Sequence, residues 1–229
     1  MQVRGWSIIG AVALLAACGS EAPAPVSPQP SAASSSRVAG SQVNVLAFGD
    51  SLFAGYGLAS PEQSYPAQLE QALRKSGRNV RIVNAGVSGD TTAAGRQRLA
   101  FTLDSQPAKP DLVLLELGGN DLLRGLNPEQ TRANLDAMLT ELSKRGIPAV
   151  MMGVQAPPNA GPQFQQAFDA IYPALAKTYG AKLVPFVGST VFTDAKLLQA
   201  DHVHPTEQGV AVLVDATADA VAAALPRAE

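Results

Sequence analysis

The sequence predicts an α/β fold: one parallel sheet of five strands with helices covering both faces. Two observations carry this. From residue 43 to residue 225 short apolar runs alternate strictly with helix-spaced segments, and strands joined through helices pair in parallel. The runs are also almost continuously apolar, as expected of strands covered on both sides. A third observation concerns function. The polar and glycine-rich clusters that stand out fall at the carboxyl ends of strands, the rim on which such sheets bind ligands.

The chain has 229 residues, 46% hydrophobic and 16% charged, which suits one ordinary domain with a substantial core. A formal charge of -2 and scattered basic residues give no electrostatic footprint for nucleic acid. Residues 1–17 read as an export signal, with Arg4 as the positive start, an apolar stretch and a small-residue ending. That stretch is too short to span a bilayer comfortably. Leu15-Ala16-Ala17-Cys18 resembles the lipobox of bacterial lipoproteins, whose cysteine is acylated and becomes the mature N-terminus. Cys18 is the only cysteine, so it has no disulfide partner in the chain and is expected to be lipidated; the alternative is an ordinary cleaved signal with an incidental cysteine. Each buried methylene contributes about 0.8 kcal/mol, and two acyl chains already give stable anchoring. The expected location is therefore the bacterial cell envelope, on a membrane. The rest of residues 18–41 is rich in Ala, Pro and Ser and reads as a flexible linker. Residues 42–229 are left as the folded domain.

Within that domain residues 43–48 form the first strand. Residues 66–75 form a helix, with Ser76-Gly77 as its stop. Residues 80–84 are the second strand, followed by a helix over 91–101. Residues 112–117 are the most apolar run and the expected central strand. Asn127-Pro128 opens the next helix with a cap, a proline at the first position and Gln130 completing a capping box. It runs to Arg145 and stops at Gly146. Residues 147–154 are the fourth strand, 162–179 one helix ending at Gly180, and 182–186 the fifth strand. Pro205 starts the last helix, which ends near Leu225.

The clusters on the rim supply the parts of an acyl-transfer site. The first strand ends in Gly49-Asp50-Ser51-Leu52, which delivers a hydroxyl just beyond a buried strand. A serine is a poor nucleophile at neutral pH unless a base lies within hydrogen-bond reach, usually histidine. The chain has two histidines, both in Asp201-His202-Val203-His204. The Asp201-x-x-His204 spacing lets a carboxylate receive the imidazole Nδ1 proton across a turn. Hence Ser51 is the expected nucleophile, His204 the base in preference to His202, and Asp201 the group that orients it. The developing oxyanion needs donors, and the candidates are the backbone N–H groups of Ser51 and Gly86 and the side-chain amide of Asn120. The substrate wall is expected from residues 122–126 and 155–164.

Gly49-Asp50-Ser51-Leu52, Gly86 within Asn84-Ala85-Gly86, Gly118-Gly119-Asn120-Asp121 and Asp201-x-x-His204-Pro205 together resemble the four blocks of the GDSL or SGNH hydrolases, in the family's order. The stretch from Gly86 to Thr92 is most similar to the arylesterase, thioesterase and lysophospholipase subgroup. The resemblance implies a three-layer, flavodoxin-like fold, a Ser51-His204-Asp201 triad, an oxyanion hole of Ser51, Gly86 and Asn120, and no metal or organic cofactor. It implies a serine esterase acting on aryl esters, short or medium acyl esters or lysophospholipids, with a small-molecule ester or lipid as partner. The lipoprotein-like start departs from the family pattern and disfavours cytosolic acyl-CoA. Three alternatives stand beside this reading. One is an O-acetyl esterase of cell-envelope carbohydrate. Another is a metal-dependent phosphodiesterase on Asp50, His202 and His204, for which the chain is short of further histidine ligands. The last is a non-catalytic lipoprotein binding module with an inert Ser51.

Overall fold

Strands β1 (Val43–Gly49), β2 (Val80–Asn84), β3 (Leu112–Glu116), β4 (Ala149–Val154) and β5 (Lys182–Val187) form one parallel sheet in the order β2-β1-β3-β4-β5. The computed structural model describes residues 40–188 and 190–226. The signal segment, Cys18 and nearly all of the linker lie outside the described residues.

The helices are α1 (Ser51–Ala54), α2 (Tyr65–Lys75), α3 (Thr92–Asp104), α4 (Gly119–Leu123), α5 (Pro128–Lys144), α6 (Pro162–Asp169), α7 (Ile171–Tyr179) and α8 (Glu207–Ala222). Alternate strand residues face opposite layers. On one side Leu46, Phe48, Val113, Leu115 and Met151 pack with Leu99 and Leu103 of α3, Leu135 and Leu139 of α5 and Leu175 of α7. On the other, Val45, Ala47, Leu114, Met152 and Val184 pack with Leu69 and Leu73 of α2 and Leu213 and Val214 of α8. Each Val, Leu, Phe or Met side chain among these, when fully buried, contributes about 1.5–3 kcal/mol. The result is the three-layer α/β/α arrangement expected, with β3 at its centre. Because β1 is flanked by β2 on one side and β3 on the other, the chain reverses its direction of winding between β1 and β3. That switch point opens a crevice at the carboxyl ends of the strands.

Three local expectations need correction. The helix expected over residues 162–179 is two helices, parted at Ala170. Pro173 has no N–H to offer the Asp169 carbonyl, and its ring crowds that carbonyl, so one continuous helix is not available. The last helix starts at Glu207 rather than Pro205: Pro205 is held in an antiparallel bridge with Leu198, and the Thr206 hydroxyl caps the helix by accepting the Gly209 N–H at 3.2 Å. Asn127 caps α5 by accepting the Glu129 N–H at 2.9 Å, and among the described residues the Gln130 side chain does not return the bond. The short helices α1 and α4 escaped the periodicity argument because they last barely one turn.

Candidate active site

The turn after β1 is shaped by packing on β3. Gly49 pairs with Glu116 in register, and a Cβ at Gly49 would lie 2.7 Å from Glu116 Oε2 and 2.8 Å from Phe53. Only glycine passes there. Asp50 then caps α1 through Oδ1, which accepts the Leu52 N–H at 3.0 Å. Ser51 is thus the first residue of α1, and its N–H has no acceptor among the described residues. The helix ends after one turn at Gly55, which is left-handed at φ 80°.

The Asp201–His204 turn reaches Ser51 from the far end of the chain. Asp201 Oδ1 accepts the N–H groups of Val203 and His204, both at 3.0 Å. Its Oδ2 lies 2.7 Å from His204 Nδ1, and His204 Nε2 lies 2.8 Å from Ser51 Oγ. The backbone N–H of His204, ahead of its imidazole and the Val203 N–H, holds the Asp201 carboxyl down to about 2. With Asp201 ionised, the Nδ1 proton belongs on the Asp201 side, which leaves the Nε2 lone pair facing the serine. His202 turns aside in the left-handed region at φ 58° and lines the crevice instead. Gln199 ties the two halves together: its side-chain amide donates to the carbonyls of Tyr56, just beyond α1, at 2.8 Å and Pro205 at 2.9 Å. The ring of Tyr56 leans on that of His204, 4.6 Å between centroids.

Gly86 packs against Asp50 and α1, Asn120 lines the crevice with Ser51, and both already have internal acceptors. The segment after β2 is held along the end of β1 by Ala85 N–H to Ala47 O at 2.8 Å and Val87 N–H to Gly49 O at 3.0 Å. A Cβ at Gly86 would collide with Ala54 N and Asp50 O. The Gly86 N–H donates to Asn84 Oδ1 at 2.9 Å. Asn120 sits in the first turn of α4, which Gly118 opens in a left-handed conformation at φ 119°. Its Nδ2 donates to Asp50 Oδ2 and to the Asp90 carbonyl, both at 3.0 Å. The Asp90 side is itself fixed by Arg98, whose Nε meets Asp90 Oδ2 at 2.6 Å while Nη2 donates to Gly49 O at 2.9 Å.

A crevice of about 480 Å³ opens beside Ser51. Leu122, Leu123, Ala156, Pro157 and Pro158 line it from the two stretches expected, and Val187 at the end of β5 and Phe192 just beyond it add a wall. That third wall, the Tyr56 contact with His204 and the buried Glu116 were not found from sequence. No motif marks Val187 or Phe192; only the sheet order, which places β5 beside β4, brings them to the rim. The metal alternative fails on geometry: among the described residues no cluster of three His, Cys, Asp or Glu is placed to hold an ion. Asp50 and His204 spend their polar atoms on Leu52, Asn120, Asp201 and Ser51.

Residues 47–212 match the GDSL-like Lipase/Acylhydrolase family. The solved structure of AlinE4, an SGNH-hydrolase family esterase, is 60% identical, covers 82% of this chain and 100% of its own, and superposes with a TM-score of 0.69. An arylesterase of Vibrio mimicus is 41% identical over 161 residues, 70% of this chain and 79% of that one. The thioesterase 1/protease 1/lysophospholipase L1 of Escherichia coli is 36% identical over 171 residues, 75% of this chain and 79% of that one. The chain belongs to the GDSL-like lipase/acylhydrolase family and has its SGNH hydrolase fold. It is accordingly an enzyme of the carboxylic ester hydrolase class.

Proposed function

We propose that the enzyme cleaves carboxylic esters through an acyl-enzyme on Ser51, with His204 as base and acid and Asp201 as its orienting carboxylate. The observation that carries this is the pair of contacts on one imidazole, 2.8 Å to Ser51 Oγ and 2.7 Å to Asp201 Oδ2. His204 Nε2 takes the hydroxyl proton as Oγ attacks the ester carbonyl carbon. Asp201 steadies the imidazolium that results. The carbonyl oxygen becomes an oxyanion and meets the Ser51 N–H, the Gly86 N–H and the Asn120 amide, the latter two exchanging internal acceptors for the substrate oxygen. As the C–O bond breaks, His204 returns the proton to the departing alcohol. It then deprotonates a water, which attacks the acyl carbon, and returns that proton to Ser51 Oγ as the acyl C–O bond breaks, freeing the acid and the serine.

The apolar crevice favours an acyl chain or an aryl group over a hydrated sugar, so the substrate class is aryl esters, short or medium acyl esters, or lysophospholipids. The names of the relatives agree with this range. The lipobox-like Cys18 adds an exported, membrane-anchored location, on which a lipid substrate would be at hand. Turnover of p-nitrophenyl esters of increasing chain length, run beside lysophospholipid and an acetylated sugar, tests the substrate class. Acyl and aryl esters should turn over. Preference for the acetylated sugar would favour the carbohydrate esterase, and no turnover at all the binding module. Incorporation of an alkyne-tagged fatty acid into wild type but not Cys18→Ser tests the anchor.

A further inference from the structure

Two carboxyl groups are buried side by side behind the nucleophile turn. Glu116, the last residue of β3, is wholly buried, and Asp50 is 2% exposed. Glu116 Oε2 accepts the Asp50 N–H at 3.1 Å, while Oε1 is buried with no donor among the described residues. No Lys or Arg pairs with either group among the described residues. Two ionised carboxylates in so dry a place repel one another without compensation, so the pair keeps a proton. Asp50 already accepts from Leu52 N–H on Oδ1 and from Asn120 on Oδ2. An acceptor with two donors is poorly placed to carry the proton. Glu116, whose carboxyl is hydrogen-bonded to that of Asp50 and has one oxygen with no donor among the described residues, is well placed. Burial, reinforced by the neighbouring Asp50, pushes its carboxyl well above the usual range.

We propose that Glu116 is a neutral carboxylic acid that donates its proton as a hydrogen bond to Asp50 and thereby sets how firmly Asp50 holds the Asn120 amide. It is a positioning residue for the oxyanion donor. One Asn120 hydrogen rests on the Asp90 carbonyl, and the other must pass from Asp50 to the substrate oxygen as that oxygen becomes charged. A carboxylate that shares a proton with Glu116 is a weaker competitor for that hydrogen than a bare one. The neutral ester makes little demand on the amide, so the effect falls on the transition state and on kcat rather than KM.

The proposal rests on the esterase reading, and wild-type turnover abolished by Ser51→Ala is the control that separates the two. Without that control result the esterase reading itself is overturned, and this proposal with it; the outcomes below bear on Glu116 alone. Glu116→Gln keeps a donor for Asp50 and an acceptor for its N–H, and should hold kcat within about threefold. Glu116→Met, which lacks both, should lose kcat roughly 10- to 100-fold with KM within about threefold. In an Asn120→Ala background the same Met substitution should cost less than about threefold, because the group it acts through is gone. Equal losses in both backgrounds, wild-type kcat in Glu116→Met, or a Gln variant as impaired as Met would overturn the proposal. If Glu116→Met does not fold, Glu116→Gln decides alone, a loss of roughly tenfold or more in folded protein being contrary. Independently of turnover, infrared difference spectra should show a protonated carboxyl stretch in wild type that Glu116→Gln lacks; its absence from wild type would also overturn the proposal.

Discussion

Ser51 and His204 stand 153 residues apart in the chain, yet Oγ and Nε2 lie 2.8 Å apart across the mouth of the sheet. The contact joins the turn after β1 to the loop that follows β5, and Gln199 holds those two segments together from behind.

Removing either partner should silence the enzyme. Ser51→Ala and His204→Ala are each expected to lower kcat about 10⁴-fold or more. His202→Ala, which only trims the crevice wall, should stay within about tenfold. Steady-state kinetics on a p-nitrophenyl ester decides, and an inactive His202→Ala beside an active His204→Ala would reverse the assignment.

Asp201 is held ionised down to about 2. A depressed carboxyl favours the folded state above its unfolded value and loses that contribution only as pH falls toward 2. Its charge is therefore the same at pH 5 and pH 8. Asp201→Asn should cut kcat/KM by about 10²–10⁴-fold at pH 8, where the wild-type carboxylate is fully charged. Wild-type kcat/KM in folded Asp201→Asn at pH 8 would contradict this.

The oxyanion donors should behave alike. Asn120→Ala is expected to cost about 10²–10³-fold in kcat with little change in KM. Gly86→Ala must push the segment away from Asp50 and Ala54, so it should lose kcat on a similar scale; full activity in either variant would remove that donor from the mechanism.

The stability of the buried pair depends on pH in a defined direction. The Glu116 carboxyl titrates well above its ordinary 4.5 in the folded chain. Such a group stabilises fully below its unfolded value, and that contribution is lost as pH rises toward the folded one. Glutamine has no proton to lose. The advantage of Glu116→Gln over wild type in thermal unfolding should therefore grow with pH between about 5 and 8, by up to about 1.4 kcal/mol per pH unit. Parallel curves would mean that Glu116 titrates normally.

Much of the fold was legible because apolar runs and helix stops mark a doubly covered sheet. The order β2-β1-β3-β4-β5 was legible only through the family resemblance, with its flavodoxin-like fold, since strand neighbours are chosen by packing of the whole sheet rather than by any local signal. For the same reason Val187 and Phe192 went unseen as walls of the crevice. The meeting of Ser51, Asp201 and His204 was legible because chemistry limits which residue types can form such a group and the chain offers few of them. Glu116 was hidden inside a strand that reads as apolar. Its meaning lies in what it touches, Gly49 at the end of the neighbouring strand and Asp50 just beyond it. The break at Ala170 was legible in principle, as Pro173 sits where an unbroken helix would need an N–H.

Covalent capture of the nucleophile tests the central claim most directly. Wild-type protein treated with an alkyl fluorophosphonate and digested for mass spectrometry should carry one phosphonyl group, on Ser51, in step with loss of esterase activity. His204→Ala should label far more slowly. Label on another residue, or folded, active enzyme that resists labelling at Ser51, would contradict the account.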